Sequence, residues 1–536
     1  MNIYRINQCK LPISHTEEQL KQAIRKAMHL QSHTKFTYEI IKRSLDARKK
    51  EELLYSYMID VHMQGTIPLH KQTNIRQLHG PQEYSFRPSG NKCLINPPVI
   101  VGMGPAGLFC AYMLAKEGYA PIVLERGDCV EERQKKVNHF WQTRELDTES
   151  NVQFGEGGAG TFSDGKLNTL VKDKFFRNRE VLKTFVKFGA PEEILYENKP
   201  HIGTDVLSVV VKNMRNEIIR LGGMIRFRTK FVDYETDGNT LQAIIAEHEG
   251  MIERIPCNTL VLAIGHSARD TFEILRNKGL AMEAKAFAVG VRILHPQKMI
   301  SESQYGAIGA KLLPPASYKL TGQTSDGRGI YSFCMCPGGY VVNASSEKEH
   351  LAVNGMSYHA RASESANSAL IITVSPNDFP GEISDPLRGI AFQRKLESLM
   401  YREGNGAIPV QLFGDFKQGR ESKQFYDVIP CFCGETAFLR LDKILPKYMT
   451  KGLNEGITHF GQIIRGFDRD DAILAGIESR TSSPVRIHRD ENGEAAIRGI
   501  YPCGEGAGYA GGITSAAMDG MRIYEVISSR FARPNC

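Results

Sequence analysis

The chain has 536 residues, 41% of them hydrophobic and 24% charged, with a formal net charge of +7. That length exceeds what one hydrophobic core usually supports, so two or three domains are expected, and the composition is that of a folded globular protein rather than a disordered or fibrous one. No apolar run approaches the roughly 20 residues that cross a bilayer, the opening MNIYRINQCKLPIS has no apolar signal-peptide region, and 11 scattered cysteines fit a reducing compartment, so a cytoplasmic protein with no membrane span is expected.

Residues 1–90 are expected to form a small α+β accessory unit. Strand patterns cover Asn2–Gln8, Phe36–Ser44 and Leu53–Met63, and Thr16-x-x-Gln19 opens an amphipathic helix with Leu20, Ile24, Ala27 and Met28 on one face. Lys42, Arg43, Arg48, Lys49 and Lys50 offer a basic face to an anionic partner such as RNA, while the simpler reading of this mixed-charge run is a solvated surface. Residues 64–96, rich in Gly, Pro, Gln and Asn, read as a connector.

Residues 97–126 read PPVIVGMGPAGLFCAYMLAKEGYAPIVLER, a strand, glycine turn, helix and second strand ending on an acid. In this dinucleotide-binding pattern Gly102 allows the tight turn, Gly104 lets the backbone approach a pyrophosphate, and Gly107 lets helix and strand pack closely. Pro105 and Ala106 begin the helix whose N-terminus faces the phosphate charge, and Glu125, followed by Arg126, is placed to accept hydrogen bonds from a ribose.

The next glycine run, FGEGGAGTFSDGK, carries Glu156, Gly157, Gly158, Gly160, Thr161, Ser163, Asp164 and Lys166. It reads as a loop along a bound cofactor, with backbone amides as donors and Lys166 as a stabiliser of negative charge. Residues 206–221 have helical spacing, MIRFRTKFVDYE has strand character, and Gln242–Glu249 with Met251–Pro256 reads as a hairpin. Leu260–Gly265 is an apolar strand ending in Ala263, Ile264 and Gly265, small enough at its end to pass close to a dinucleotide; His266, a candidate acid or base, and Arg269 follow it.

From Ala286 to about Val374 the pattern is strand-rich with few long helical stretches, and a helical region follows at 385–404. Asn354, Ser357, His359, Arg361 and Asn367 cluster polar groups there for a substrate. Cys334-Met-Cys336 and Cys431-Phe-Cys433 are too closely spaced for structural zinc, so no metal is expected; Cys336, before Pro-Gly-Gly, is a candidate redox thiol, and a small buried core residue is the equal alternative. Arg480, Ser482, Ser483 and Arg486 suit an anion or a turn at Pro484. Near the C-terminus Gly504 and Glu505 end a short strand, and Gly511, Gly512, Ile513 and Thr514 open a last helix, which aimed at a flavin would stabilise its reduced charge.

These segments resemble the glutathione-reductase-type FAD superfamily. The strings NVQFGEGGAGTFSDGKLNT, FCMCPGGYVV, NGMSYHAR, RTSSPVRI and YPCGEGAGYAGGITSAAMDG are similar to a bacterial family described as FAD-dependent, or NAD(FAD)-utilising, dehydrogenases of unassigned substrate. The resemblance implies an α/β chain: a discontinuous Rossmann-like FAD domain (97–280 and 450–536), an inserted strand-rich substrate domain (281–449) and a ferredoxin-like N-terminal unit (1–90). It implies that Glu125 binds the adenosine ribose, that residues near Phe231 and Val232 flank adenine, that Glu505 meets the ribityl or pyrophosphate portion, and that Gly512, Ile513 and Thr514 lie under the isoalloxazine. No second glycine fingerprint occurs between 127 and 500, so NAD(P)H, if it is the donor, binds without its own Rossmann domain. The expectation is hydride transfer between non-covalent FAD and a small organic substrate or nicotinamide; an RNA-modifying flavoenzyme and a non-catalytic FAD carrier are the alternatives.

Overall fold

The computed structural model describes residues 2–67, 74–80 and 82–533. At the N-terminus Asn2–Pro12, Phe36–Asp46, Leu54–Met63 and Ile75–Leu78 form one antiparallel sheet, ordered 36–46, 54–63, 2–12, 75–78. The helix Glu17–Ala27 covers it with Leu20 and Ile24, and Thr16 and Gln19 close the expected capping box. That strand order is the ferredoxin-like one, with a single helix among the described residues. The connector is not wholly irregular, because Ile75–Leu78 completes the sheet; only Ile75 is buried, which leaves too short an apolar signal to read.

The second unit is built on a parallel sheet ordered 500–502, 260–262, 99–101, 122–124, 224–226. Its strands are short continuous apolar runs because both faces are covered. Ile100, Val123, Val261 and Tyr501 pack against the helices Pro105–Lys116, Thr204–Arg220 and Ile513–Arg530. Val99, Val101, Leu124, Leu260, Leu262 and Ile500 point the other way, toward the antiparallel strands Thr229–Asp237, Thr240–His248 and Met251–Pro256. The run 224–235 is thus two strands: it breaks at Arg228, whose φ is +54°, and its halves join different sheets.

The third unit centres on a seven-stranded sheet ordered 321–323, 329–336, 365–374, 287–296, 473–478, 408–412, 436–438. The chain returns to the second unit later than the expected residue 450, because Ile473–Glu478 sits inside this sheet, between Phe287–Pro296 and Ile408–Leu412, and Lys447–Ile463 packs on it. A helix, Gln297–Leu312, also interrupts the region read as strand-rich; its buried positions Gln297, Ile300, Ser301 and Gly309 make no apolar stripe, and it bends at Gly306.

Buried charge joins the second and third units. Glu397, on the helix Arg388–Gly404, accepts from both Arg269 nitrogens at 2.8 Å and from Arg480 at 3.0 and 2.8 Å, and all three side chains are shut off from solvent. Removing one partner of such a cluster leaves the others uncompensated, so Glu397→Ala is expected to lower stability by about 3–5 kcal/mol in chemical denaturation. A Cβ on Gly107 would lie 2.0 Å from the Gly102 carbonyl oxygen. Gly107→Ala therefore forces helix Pro105–Lys116 off its sheet, and a loss of about 1–3 kcal/mol is expected in the same measurement.

Candidate functional site

A cavity of about 490 Å³ lies where the parallel strands end. The turns after Val99–Val101, Ile122–Leu124, Leu260–Leu262 and Ile500–Pro502 all reach it, as crevices at the carboxyl edge of parallel sheets do. Gly102, with φ +96°, brings its backbone so near the 260–262 strand that a Cβ would sit 2.4 Å from the Ala263 oxygen. Gly104 precedes Pro105 at the start of the helix, so that helix's unpaired amides face the cavity.

Glu125 ties these turns together. Its buried carboxylate accepts from the amides of Met103 at 2.8 Å, Gly127 at 2.9 Å and Gly155 at 3.0 Å. The glycine run after it is held by a residue that carries no sequence signal: Arg133, wholly buried, donates to the carbonyls of Asn151, Val152, Gly155 and Glu156. Helix Val130–Thr143 carries Arg133 among charged neighbours, where its pattern is that of an ordinary solvated helix. Arg126 stacks on Phe154 and forks onto Asp270 at 2.9 Å, a supporting role for the cavity wall.

Asp164 and Lys166 enter the cavity from the same run. Asp164 is buried and is met by Arg361, at 3.2 and 2.5 Å, by the Ser357 hydroxyl and by Lys166 at 3.4 Å. Burial opposes the charge of Asp164, yet Lys166 and Arg361 outweigh it and hold the carboxyl below its ordinary value. Burial likewise opposes the Lys166 ammonium, and Asp164, Cys334 and Cys336 together outweigh it and hold its value above the ordinary one. Lys166 also donates to the Met335 carbonyl, which fixes it beside the cysteine pair.

Of that pair, Cys334 lines the cavity, whereas Cys336, the candidate read from the sequence, is fully buried and does not reach it. A bulge between Phe333 and Cys336 explains the exchange: Cys334 takes a φ of +42° and departs from the alternation of its strand. Beneath them Arg292, a second residue not foreseen, bonds Glu478 at 2.8 Å, Asn354 and Asn367 at 3.0 Å and the Cys334 carbonyl at 2.9 Å. Glu478 and Asn354 line the cavity; Asn367 lies behind them.

His266 reaches the cavity, and burial, with Arg480 and Arg269 nearby, pushes its value down to about 3, which favours the neutral imidazole over the charged one. Arg269 serves the Glu397 cluster and not the cavity; Arg480 serves both. His359 stacks on His201 at 5.2 Å, outside the wall. Arg486 lies against Tyr509, and Ser483 bonds the Gly506 carbonyl, so both brace the last turn.

At the C-terminal end Asp519 accepts from the Gly504 amide at 2.8 Å, which aims Glu505 at the cavity. Burial pushes the Glu505 carboxyl up to about 7, against the pull of Lys285. Gly511 and Gly512 precede the helix Ile513–Arg530, and a Cβ on either, or on Gly265, would meet no atom within 4 Å. These residues, with Gly158, Gly160, Ala263 and Ile513, form wall; Gly107, Gly157, Thr161, Gly504 and Thr514 pack behind it. On strand 229–237 it is Phe231, not Val232, that lines the cavity, since the register shifts there and the two side chains point apart. Of the basic N-terminal set, Arg43, Arg48 and Lys49 are engaged with Glu197, Asp46 and Glu52. Among the described residues no group of three or more His, Cys, Asp or Glu could hold a metal, and no helix is long and apolar enough to cross a membrane.

Residues 286–481 match the family described as FAD-dependent protein, C-terminal domain-like, and residues 3–62 match a domain of unknown function. The first match spans the third unit to its last strand. Among solved structures, the glycerol-3-phosphate dehydrogenase from Bacillus halodurans complexed with FAD is similar at 12% identity, with 81% of this chain and 64% of that chain covered and a TM-score of 0.37. Glycine oxidase from Bacillus cereus gives 11% identity, 81% and 94% coverage and 0.30. Likenesses of this size carry no functional reading. An uncharacterized protein of Clostridium beijerinckii is 47% identical over 537 residues, 99% of each chain. The chain belongs to the family of that clostridial protein, and its residues 286–481 match the FAD-dependent C-terminal domain-like type.

Proposed function

We propose that the cavity holds FAD non-covalently and that the protein is an FAD-dependent oxidoreductase acting on a small organic substrate. One observation carries this reading: the glycine turns of separate chain segments and the starts of two helices, Pro105–Lys116 and Ile513–Arg530, converge on one cavity. The residues fit such a group. Gly265, Gly511 and Gly512 leave room where a side chain would project, and Glu505 lines the cavity, which suits the hydroxyls of a ribityl chain.

In this reading the amides at the start of helix Pro105–Lys116 receive the pyrophosphate, Glu125 the adenosine ribose, and the Phe231 side the adenine. When bound, FAD supplies two-electron chemistry that side chains lack. The chain's own part is to position it, exclude water and stabilise charge: Lys166, fixed by Asp164 and Met335, is one cation at the wall, and the start of helix Ile513–Arg530 adds the positive end of a dipole. NAD(P)H is the donor to try first, and it would share this cavity.

The purified protein is expected to be yellow and to release FAD on denaturation; wild-type protein that neither carries nor takes up FAD overturns the reading. Gly104 has φ −71° and would place a Cβ no closer than 3.8 Å to any atom, so Gly104→Val should fold while filling the pyrophosphate approach. Its affinity for FAD is expected to fall at least about tenfold, a loss of roughly 1.4 kcal/mol by equilibrium dialysis. Glu505 gives a pH test. Its folded value, about 7, lies above that of the unfolded chain, so the folded state holds a proton that the unfolded state releases, and the FAD-free protein loses stability as pH rises toward about 7. Denaturation midpoints across that window should show this fall in wild type and a shallower one in Glu505→Gln.

A further inference from the structure

We propose that Cys334 and Cys336 are an intramolecular dithiol that exchanges two electrons with the flavin, Cys334 facing the cavity and Cys336 resolving it into a disulfide. The proposal rests on the FAD reading above. Three features of the site support it.

The first is placement. Cys334 forms part of the same wall as Lys166, Gly265, Glu505 and Gly512, while Cys336 lies directly behind it, fully buried. The bulge between Phe333 and Cys336 breaks the strand's alternation, and the Cys336 thiol turns back onto its neighbour, donating to the Cys334 carbonyl at 3.2 Å. An unbulged strand would put residues two apart on one face with parallel side chains, wider than the Cβ separation of about 3.8 Å that a disulfide takes.

The second is charge. Lys166 and Arg292 flank the pair from opposite sides, Lys166 on the Met335 carbonyl and Arg292 on the Cys334 carbonyl with the Cys336 sulfur 3.9 Å away. The neighbouring Cys336 thiol and these cations pull the Cys334 thiol below its ordinary value against its burial, and the neighbouring Cys334 together with burial pushes Cys336 up. A thiolate is the reacting form of cysteine, and this site favours one beside a thiol.

The third is restraint. A positive φ at a non-glycine residue is strained and persists where the surroundings impose it. Here Arg292 imposes it through its bonds to Glu478, Asn354 and Asn367, so the geometry of the pair is built in from three strands.

The exchange balances. The Cys334 thiolate and the Cys336 thiol form one S–S bond, giving up two electrons and the Cys336 proton. Oxidised FAD takes up both electrons and that proton as its reduced anion, whose charge Lys166 is placed to stabilise. Run in reverse, reduced FAD opens the disulfide, so the pair can relay electrons between the flavin and a thiol or disulfide substrate.

The test is an anaerobic dithionite titration of air-oxidised holoprotein, after its visible spectrum has established bound FAD. Wild type is expected to consume twice the reducing equivalents per flavin that Cys334→Ser and Cys336→Ser consume, with Cys93→Ser like wild type. Peptide mass spectrometry of the oxidised wild type under thiol-trapping conditions should find Cys334 and Cys336 joined, and the Cys336→Ser protein should show a long-wavelength thiolate-to-flavin absorbance that Cys334→Ser lacks. Equal consumption in all four proteins, or both cysteines trapped as free thiols in oxidised wild type, overturns the proposal and leaves FAD binding intact. A wild-type spectrum with no flavin, before or after FAD is supplied, overturns the FAD reading beneath it.

Discussion

The structure depends on the close approach of backbones at the carboxyl edge of the parallel sheet. The turn at Gly102 touches the 260–262 strand, and the turn at Gly506 touches Gly265, each so closely that a Cβ would fall 2.4 Å from a carbonyl oxygen. Segments that approach like this cannot interpose side chains to hold one another, so polar groups from behind do it. Glu125 gathers three amides and Arg133 gathers the carbonyls of the 151–156 loop, which satisfies buried backbone groups that no ladder reaches. The cavity is what these constraints leave open.

The same logic recurs where the seven-stranded sheet meets the parallel one. Two buried networks cross that boundary: Glu397 with Arg269 and Arg480, and Asp164 with Arg361 and Ser357. Buried ion pairs add little net stability against well-packed apolar contacts, but they are intolerant of displacement. Here they fix the relative position of the walls that the two units contribute, which is what a site assembled from distant segments needs. Arg292 extends this within the seven-stranded sheet, tying Glu478 on one strand to the bulge at Cys334 on another.

Much of the parallel-sheet unit was legible because its signals are local. Glycine spacing, the run into Glu125 and the helix start at Gly512 each lie within a few residues and require particular backbone conformations. The capping box at Thr16 and the 240–256 hairpin are local in the same sense. Other features had no such trace. Ile75–Leu78 is a strand only because Asn2–Pro12 offers an edge, and Ile473–Glu478 reads as an apolar run that fits either sheet until its partners are known.

The sequence by itself determined the strand–glycine–helix–acid segment, the interrupted order of the units and the chemical inventory of the site, since each follows from residue type and near-neighbour spacing. Only the tertiary structure decided that Cys334 rather than Cys336 faces the cavity, that His266 favours its neutral form, and that Arg133 and Arg292 organise the wall. Those outcomes depend on which side chains are buried together and on a bulge whose register is set by the strand beside it, and the partners that set them lie tens to hundreds of residues away along the chain.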